Sequence, residues 1–161
     1  MVVIIMGTTG AGKTTIGTML AKQLNWEFGD ADTFHPPANI EKMSHGIPLN
    51  DADRAPWLEA MRKAILEWIA ADKNVVLACS ALKRAYRDEL RPSPEVKTIY
   101  LKGNYALFAE RIRQRHGHFA GEGILAGQFA DLEEPDDAIT VDAAKSPEEI
   151  VAGIRKQLVL S

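Results

Sequence analysis

Eight consecutive residues near the start of the chain, Gly7, Thr8, Thr9, Gly10, Ala11, Gly12, Lys13 and Thr14, satisfy the pattern G-x-x-x-x-G-K-[ST] in full. Glycines at these spacings let the backbone turn so that successive amide hydrogens converge on phosphate oxygens. A helix starting inside the pattern adds the positive end of its dipole to the same place. Lys13 has the reach for β- and γ-phosphates, and the Thr14 hydroxyl is a ligand for Mg²⁺. The apolar run "VVIIM" before the pattern and the amphipathic stretch after it, which opens with Thr15, are the flanks such a loop requires. The chain is therefore expected to bind ATP.

A phosphate loop does not name the phosphoryl acceptor. Water-using switches and motors, nucleic-acid-driven ATPases and small-molecule kinases all use one. The chain is too short for a motor, and its third strand ends "LACSALK" with no acid, where hydrolysing members usually carry an aspartate. Acids stand instead at the end of the second strand, in "GDADTFHP". Transfer to an alcohol needs oxygen ligands for Mg²⁺ and a carboxylate to orient or accept the hydroxyl proton. Asp30 and Asp32, two residues apart at the carboxyl end of a strand, can serve one need each.

Cations follow. Arg54 stands at a helix start, and Lys83 and Arg87 are four apart, hence on one helical face. Two readings stand for these three: a grip on an anionic acceptor, a bidentate task suited to arginine, or solvated helix charges. Arg111 and Arg115, also four apart, either fold over the phosphates to neutralise charge during transfer or decorate a helix surface. His35, His45, His116 and His118 lack both companion cysteines and i, i+4 spacing, so zinc is not expected.

The elements that must position these groups alternate along the chain. Val2–Met6 reads as a strand buried on both faces, and a helix from Lys13 to Leu24 repeats Ile16, Leu20 and Leu24. "WEFGDAD" reads as a second strand, and Pro36 and Pro37 open a short helix closed by Gly46. A long helix over "DADRAPWLEAMRKAILEWIAAD" aligns Trp57, Met61, Ile65 and Trp68, with Asp51 or Asp53 as its cap. "NVVLACS" and "KTIYL" are strands three and four. A helix follows from Asn104 to about Arg115, and a last one in "SPEEIVAGIRKQL" starts on a Ser146–Glu149 capping box. The stretch 116–135 fits neither period and reads as a lid over the site or a surface excursion. Such alternation implies a parallel sheet covered on both faces in a single α/β domain spanning 1–161.

A net charge of −3 argues against a nucleic-acid partner. The single cysteine, Cys79, excludes an internal disulfide and suits a small buried strand position. No stretch approaches the roughly 20 apolar residues that span a bilayer, and the N-terminus has no signal-peptide pattern. A cytoplasmic protein with no membrane partner is expected.

Taken in order, "GTTGAGKTT", "FGDADTFHPPANIEKMSHGIPLNDADRAPWL", "CSALKRAYRDELR", "YLKG" and "RIRQRHGHF…GQFADLEEP" resemble the gluconate kinase family of small P-loop kinases. The resemblance runs from about residue 3 to 142 and implies a nucleoside-kinase-like three-layer sandwich with a five-stranded parallel sheet and a helical lid. It implies ATP- and Mg²⁺-dependent phosphorylation of D-gluconate, and commonly a homodimer. Carried over by position, Gly7 to Thr15 hold the phosphates, with Arg111 for the nucleotide and Arg115 for transfer. Asp32 stands nearest the acceptor hydroxyl, with Asp30 and Thr14 on the metal. His35, Arg54, Lys83, Arg87 and Gln128 become acceptor contacts. Family members usually place glycine where Ala31 separates the two acids, and often a methionine and a serine where the lid here has small residues in "GHFAGEGILAGQF". The alternatives are a kinase for another small anionic polyol such as shikimate, or a nucleotide-binding module without catalysis.

Overall fold

The computed structural model describes residues 1–116 and 122–158, without the side chains of His116 and Glu122. Residues 117–121, which include His118 and open the expected lid, lie outside the described residues. The elements run β1 (Val2–Met6), α1 (Lys13–Leu24), β2 (Glu27–Asp30), a 3₁₀ turn (Ala31–Phe34), α2 (Pro37–Ser44), α3 (Asp51–Ala70), β3 (Val75–Ala78), α4 (Arg84–Leu90), β4 (Val96–Lys102), α5 (Tyr105–His116), α6 (Glu122–Asp131), β5 (Ile139–Asp142) and α7 (Pro147–Gln157).

The five strands form one all-parallel sheet in the order β2-β3-β1-β4-β5. β1 lies at its centre, and the run "VVIIM" follows from that position. Val3 and Ile5 face a core shared with Leu20, Phe108 and Val151, while Val2, Ile4 and Met6 face a second core with Met61, Tyr86 and Leu90. A two-residue period on a strand covered on both sides leaves no polar position. All five side chains are essentially inaccessible, each stabilising the fold by about 1.5–3 kcal/mol. β5, at the sheet's edge, alternates half-buried and exposed residues, and it is the one strand the apolar runs did not disclose.

Helix boundaries follow their caps. α1 starts on Gly12, whose φ of 93° is open to glycine at little cost. The cap of α3 is Asn50, one residue before Asp51 and three before Asp53. Asn50 accepts from the Asp53 amide at 2.8 Å while the Asp53 carboxylate accepts from the Asn50 amide at 3.0 Å, a reciprocal capping box. Asn50 rather than Asp51 or Asp53 is the cap because Asp53, at the third helical position, can reach back to it. α7 is capped by Ser146 as expected, but Glu149 takes the Ser146 hydroxyl at 3.1 Å rather than its backbone amide. The ambiguous 116–135 stretch contains a helix, α6, whose weak periodicity reflects the single buried position Leu125.

Candidate active site

The phosphate loop leaves the carboxyl end of β1 and closes on the first turn of α1. Gly10 has a φ of 82°, and a Cβ there would stand 3.0 Å from the Phe108 carbonyl oxygen of α5, so geometry and space both demand glycine. The loop is braced from three sides. Gly7 donates to the Ser80 carbonyl at 3.4 Å, Lys13 Nζ donates to the Thr8 carbonyl at 3.0 Å, and the Thr9 amide donates to Gln128 Oε1 at 2.6 Å. Arg111 of α5 donates to the carbonyls of Gly10 at 3.2 Å and Ala143 at 2.5 Å, tying the loop to the end of β5.

Two cavities meet over this loop. One, of about 310 Å³, is lined by Lys13, Thr14, Asp30, Asp32, Ser80 and Gln128, among others. The second, of about 400 Å³, lies on the α5–α7 side and is lined by Ile16, Arg111, Gln114, Lys145, Pro147 and Ile150. Gly10, Gly12, Thr15 and Arg115 line both. The first is polar and acidic on one wall, the second apolar enough for a nucleoside. Arg115 therefore stands where a phosphate would pass from one to the other. Gln114, Lys145 and Pro147 carried no sequence signal, because they line the cavity from separate elements with ordinary surface residue types.

Burial pushes the Lys13 ammonium below its ordinary value, while nearby Cys79, Asp32 and Asp30 oppose that shift. The Cys79 thiol is itself pushed up to about 12 by burial. It is neutral at physiological pH, which leaves the two aspartates as the carboxylates that oppose the Lys13 shift. Cys79 is a buried packing residue, and burial leaves it unreactive.

The Asp30–Asp32 pair sits on a rigid turn. Asp30 Oδ1 accepts from the Asp32 amide at 2.9 Å and so caps the 3₁₀ turn, and the buried Trp57 indole donates to the Ala31 carbonyl at 2.8 Å. Ala31 does not adopt a positive φ, so alanine fits the turn without backbone strain. Its side chain is buried, at 2% exposed, between two aspartates that both line the 310 Å³ cavity. The Thr14 hydroxyl and Asp30 line the same cavity and fit Mg²⁺, a hard cation that takes few protein oxygens and completes its shell with phosphate and water.

The remaining expected residues divide. Arg54 donates to the Tyr86 hydroxyl at 3.0 Å and approaches Asp131 of α6 at 4.0 Å. Lys83 donates to Asp51 at 3.1 Å, and Tyr86 also bonds Asp51. Together they form a polar cluster joining α3, α4 and α6, outside the lining of the 310 Å³ cavity. Tyr86 and Lys83 hold the Asp51 carboxyl below its usual range. His35 stacks on Trp57 with ring centroids 4.6 Å apart. Arg87 differs from expectation. Its guanidinium is buried and donates to the carbonyls of Ala81, Leu82 and Glu133 at 2.7–3.0 Å. Lys83 caps α4 rather than lying within it, so the two cations do not share one exposed helical face. Arg87 holds in place the loop after β3, where Ala81 has a φ of 46° that ordinarily costs about 1 kcal/mol.

A family model described as shikimate kinase matches residues 9–158. A gluconokinase of Gluconobacter oxydans (strain 621H) is 43% identical over 152 residues, covering 92% of this chain and 85% of the relative. The crystal structure of a gluconokinase from Sinorhizobium meliloti 1021 matches with a TM-score of 0.84 at 38% identity, covering 98% of this chain and 94% of that one. A shikimate kinase from Aquifex aeolicus vf5 covers 99% of this chain and 96% of that one, with a TM-score of 0.59 at 19% identity, a likeness of fold alone.

Proposed function

Because this chain belongs to the gluconokinase family of shikimate kinase-like P-loop kinases, we propose that it transfers the γ-phosphoryl group of ATP to D-gluconate, giving 6-phospho-D-gluconate. It is a phosphotransferase with an alcohol acceptor. The single observation that carries the site assignment is the shared cavity wall: Lys13, Thr14 and the two aspartates line one space, with Arg115 at its junction with the second.

In this reading ATP lies with its base in the 400 Å³ cavity and its phosphates along Gly7 to Thr15. Lys13 bears on the β- and γ-phosphates, and Arg115 offsets charge as the bond to the leaving oxygen lengthens. Asp32 orients the acceptor hydroxyl and takes its proton. Mg²⁺, held by Thr14 and Asp30, would supply charge neutralisation across the phosphates. Arg54, Lys83, Gln128 and His35 are assigned to the acceptor, whose carboxylate would compete with Asp51 and Asp131 for Lys83 and Arg54. Arg87 is assigned to support of the loop after β3. The described part of the expected lid, α6 (Glu122–Asp131), is assigned to cover the site. The homodimer implied by the resemblance belongs to the same proposal and is checked by light scattering.

A coupled ADP-release assay over gluconate, its epimers and shikimate tests the acceptor. Turnover with gluconate is expected to exceed that with shikimate by at least about 10³-fold, since a site built for one set of hydroxyls leaves polar groups unpaired against another. Release of ADP with shikimate and none with any sugar acid would overturn the assignment. No helix among the described residues is long and apolar enough to cross a membrane.

A further inference from the structure

Asn39 is buried at 3% exposed in α2, and its amide nitrogen touches two partners. It donates to the Asp53 carbonyl at 2.8 Å, and it stands 3.2 Å from Nδ1 of His35. A backbone carbonyl only accepts, so the Asn39 atom facing it must be the NH₂ nitrogen. That same nitrogen meets His35, and an NH₂ group only donates, so Nδ1 of His35 must be the acceptor. A neutral imidazole that accepts at Nδ1 carries its proton on Nε2. Nε2 makes no hydrogen bond within the described residues and is not a sealed orphan. It is therefore a donor left open on the ring.

We propose that Asn39 is a positioning residue that fixes His35 as a neutral Nε2–H donor for an oxygen of the acceptor, resting on the sugar-acid kinase reading above. The Asn39 contact selects between the two ring orientations, which the stack alone does not distinguish. One face stacks on Trp57, nearly parallel at 8°, and its backbone amide closes the turn on the Asp32 carbonyl at 3.4 Å. Asn39 is fixed in turn by α3, whose Asp53 carboxylate holds Lys42 at 2.9 Å and caps the helix. The chain of contacts runs from the helix cap through Asn39 to a ring three residues beyond Asp32. A neutral donor suits a polyol, since it satisfies an oxygen lone pair while leaving proton acceptance to Asp32 alone.

The charged groups around the ring are Asp32 on its own turn, Arg54 on α3, and the Asp53–Lys42 pair, which neutralise one another. Burial lowers the His35 pKa, Asp32 opposes the shift and Arg54 adds to it. Protonation at Nδ1 would also set two donors against each other.

Long-range proton–nitrogen NMR of the ligand-free protein tests this directly, with four histidines to resolve and His35→Gln to assign the signals. The expected His35 pattern is a bare Nδ1 and a protonated Nε2, with a titration midpoint below the ordinary 6.5. In Asn39→Asp a carboxylate replaces the donor, and the midpoint is expected to rise by about one pH unit or more. In Asn39→Ala the acceptor KM is expected to rise roughly five- to tenfold with the ATP KM unmoved, the loss of about one oriented hydrogen bond. A protonated Nδ1 in the unmodified neutral ring would overturn the proposal without any variant. So would an unchanged acceptor KM in folded Asn39→Ala, or equal rises in both KM values. A protein that phosphorylates no sugar acid would refute the kinase assignment while leaving the tautomer as stated.

Discussion

The side-chain oxygen of Gln128 lies 2.6 Å from the amide nitrogen of Thr9, joining α6 to the phosphate loop across 119 residues of sequence. The contact is neutral, and both residues line the 310 Å³ cavity. Gln128→Ala removes one hydrogen bond, and kcat/KM is expected to fall about tenfold. Gln128→Glu keeps an acceptor of the same length but adds negative charge near the phosphates. A further loss of at least about tenfold is expected, with KM for ATP and for gluconate both raised. Steady-state kinetics of the two variants decide it. Equal losses would remove the electrostatic explanation.

Lys13, assigned to the phosphates in the kinase reading, costs the fold something. Its ammonium is buried, and burial lowers its pKa, so its charged form carries a desolvation penalty. Lys13→Met abolishes turnover in the kinase reading while removing that penalty. The variant is expected to melt no lower than the parent and to gain about 2–4 °C for each kcal/mol of relief. Calorimetry on the two proteins checks the sign. A lower melting temperature would mean that the Lys13–Thr8 hydrogen bond outweighs desolvation.

Asp30 and Asp32 separate by variant. Asp32→Asn keeps the shape of the turn and removes the proton acceptor, so kcat is expected to fall at least ~10²-fold with little change in ATP binding. Asp30→Asn keeps an oxygen to cap the turn, since an amide oxygen accepts from the Asp32 amide as the carboxylate does. Its expected effect is a higher Mg²⁺ requirement, read as the metal concentration for half-maximal rate. Near-parental kcat in Asp32→Asn would end its proton-handling role.

The phosphate loop and its flanks were legible because each feature is local. Glycine spacing, the apolar strand and the helical period of α1 all lie within about two dozen residues, and α1 occupies the expected Lys13–Leu24. The acids at the end of β2 were legible for the same reason. What stayed hidden depends on contacts between distant segments. β5 is a four-residue edge strand with only Ile139 and Val141 half-buried, too short a pattern to stand out. Asn50 was passed over as a cap because two aspartates follow it, and only the return bond from Asp53 distinguishes them. Trp57 read as core packing and is that, yet its indole also braces the Asp30–Asp32 turn. The position of Arg87 in sequence gave no sign that three backbone carbonyls would take its guanidinium.

Arg87 offers a direct contrast between support and substrate contact. It is 4% exposed, and its loss would leave the Ala81 and Glu133 carbonyls without their side-chain donor. Arg87→Met is expected to destabilise the protein by about 3 kcal/mol, the order of removing a charged donor from buried acceptors. The acceptor KM is expected to stay within about threefold of the parent wherever the variant remains folded. Urea unfolding alongside gluconate kinetics measures both. A large KM effect with unchanged stability would instead restore Arg87 to the acceptor site.

Acid sensitivity follows from His35. Its pKa in the folded protein lies below the ordinary 6.5, by burial first, with Arg54 adding and Asp32 opposing. As pH falls past 6.5, the unfolded chain takes the proton before the folded one does. Stability therefore drops from that point until the lower folded pKa is passed, and is level in this contribution below it. The paired carboxylates of Asp51, Asp53 and Asp137, lowered from 3.8, titrate in a separate, more acidic window. Between pH 7.5 and 5.5 the parent is expected to lose more unfolding free energy than His35→Gln, which has no proton to gain there. Urea titrations at the two pH values supply the comparison. Identical losses would show that some other group carries the acid response in this range.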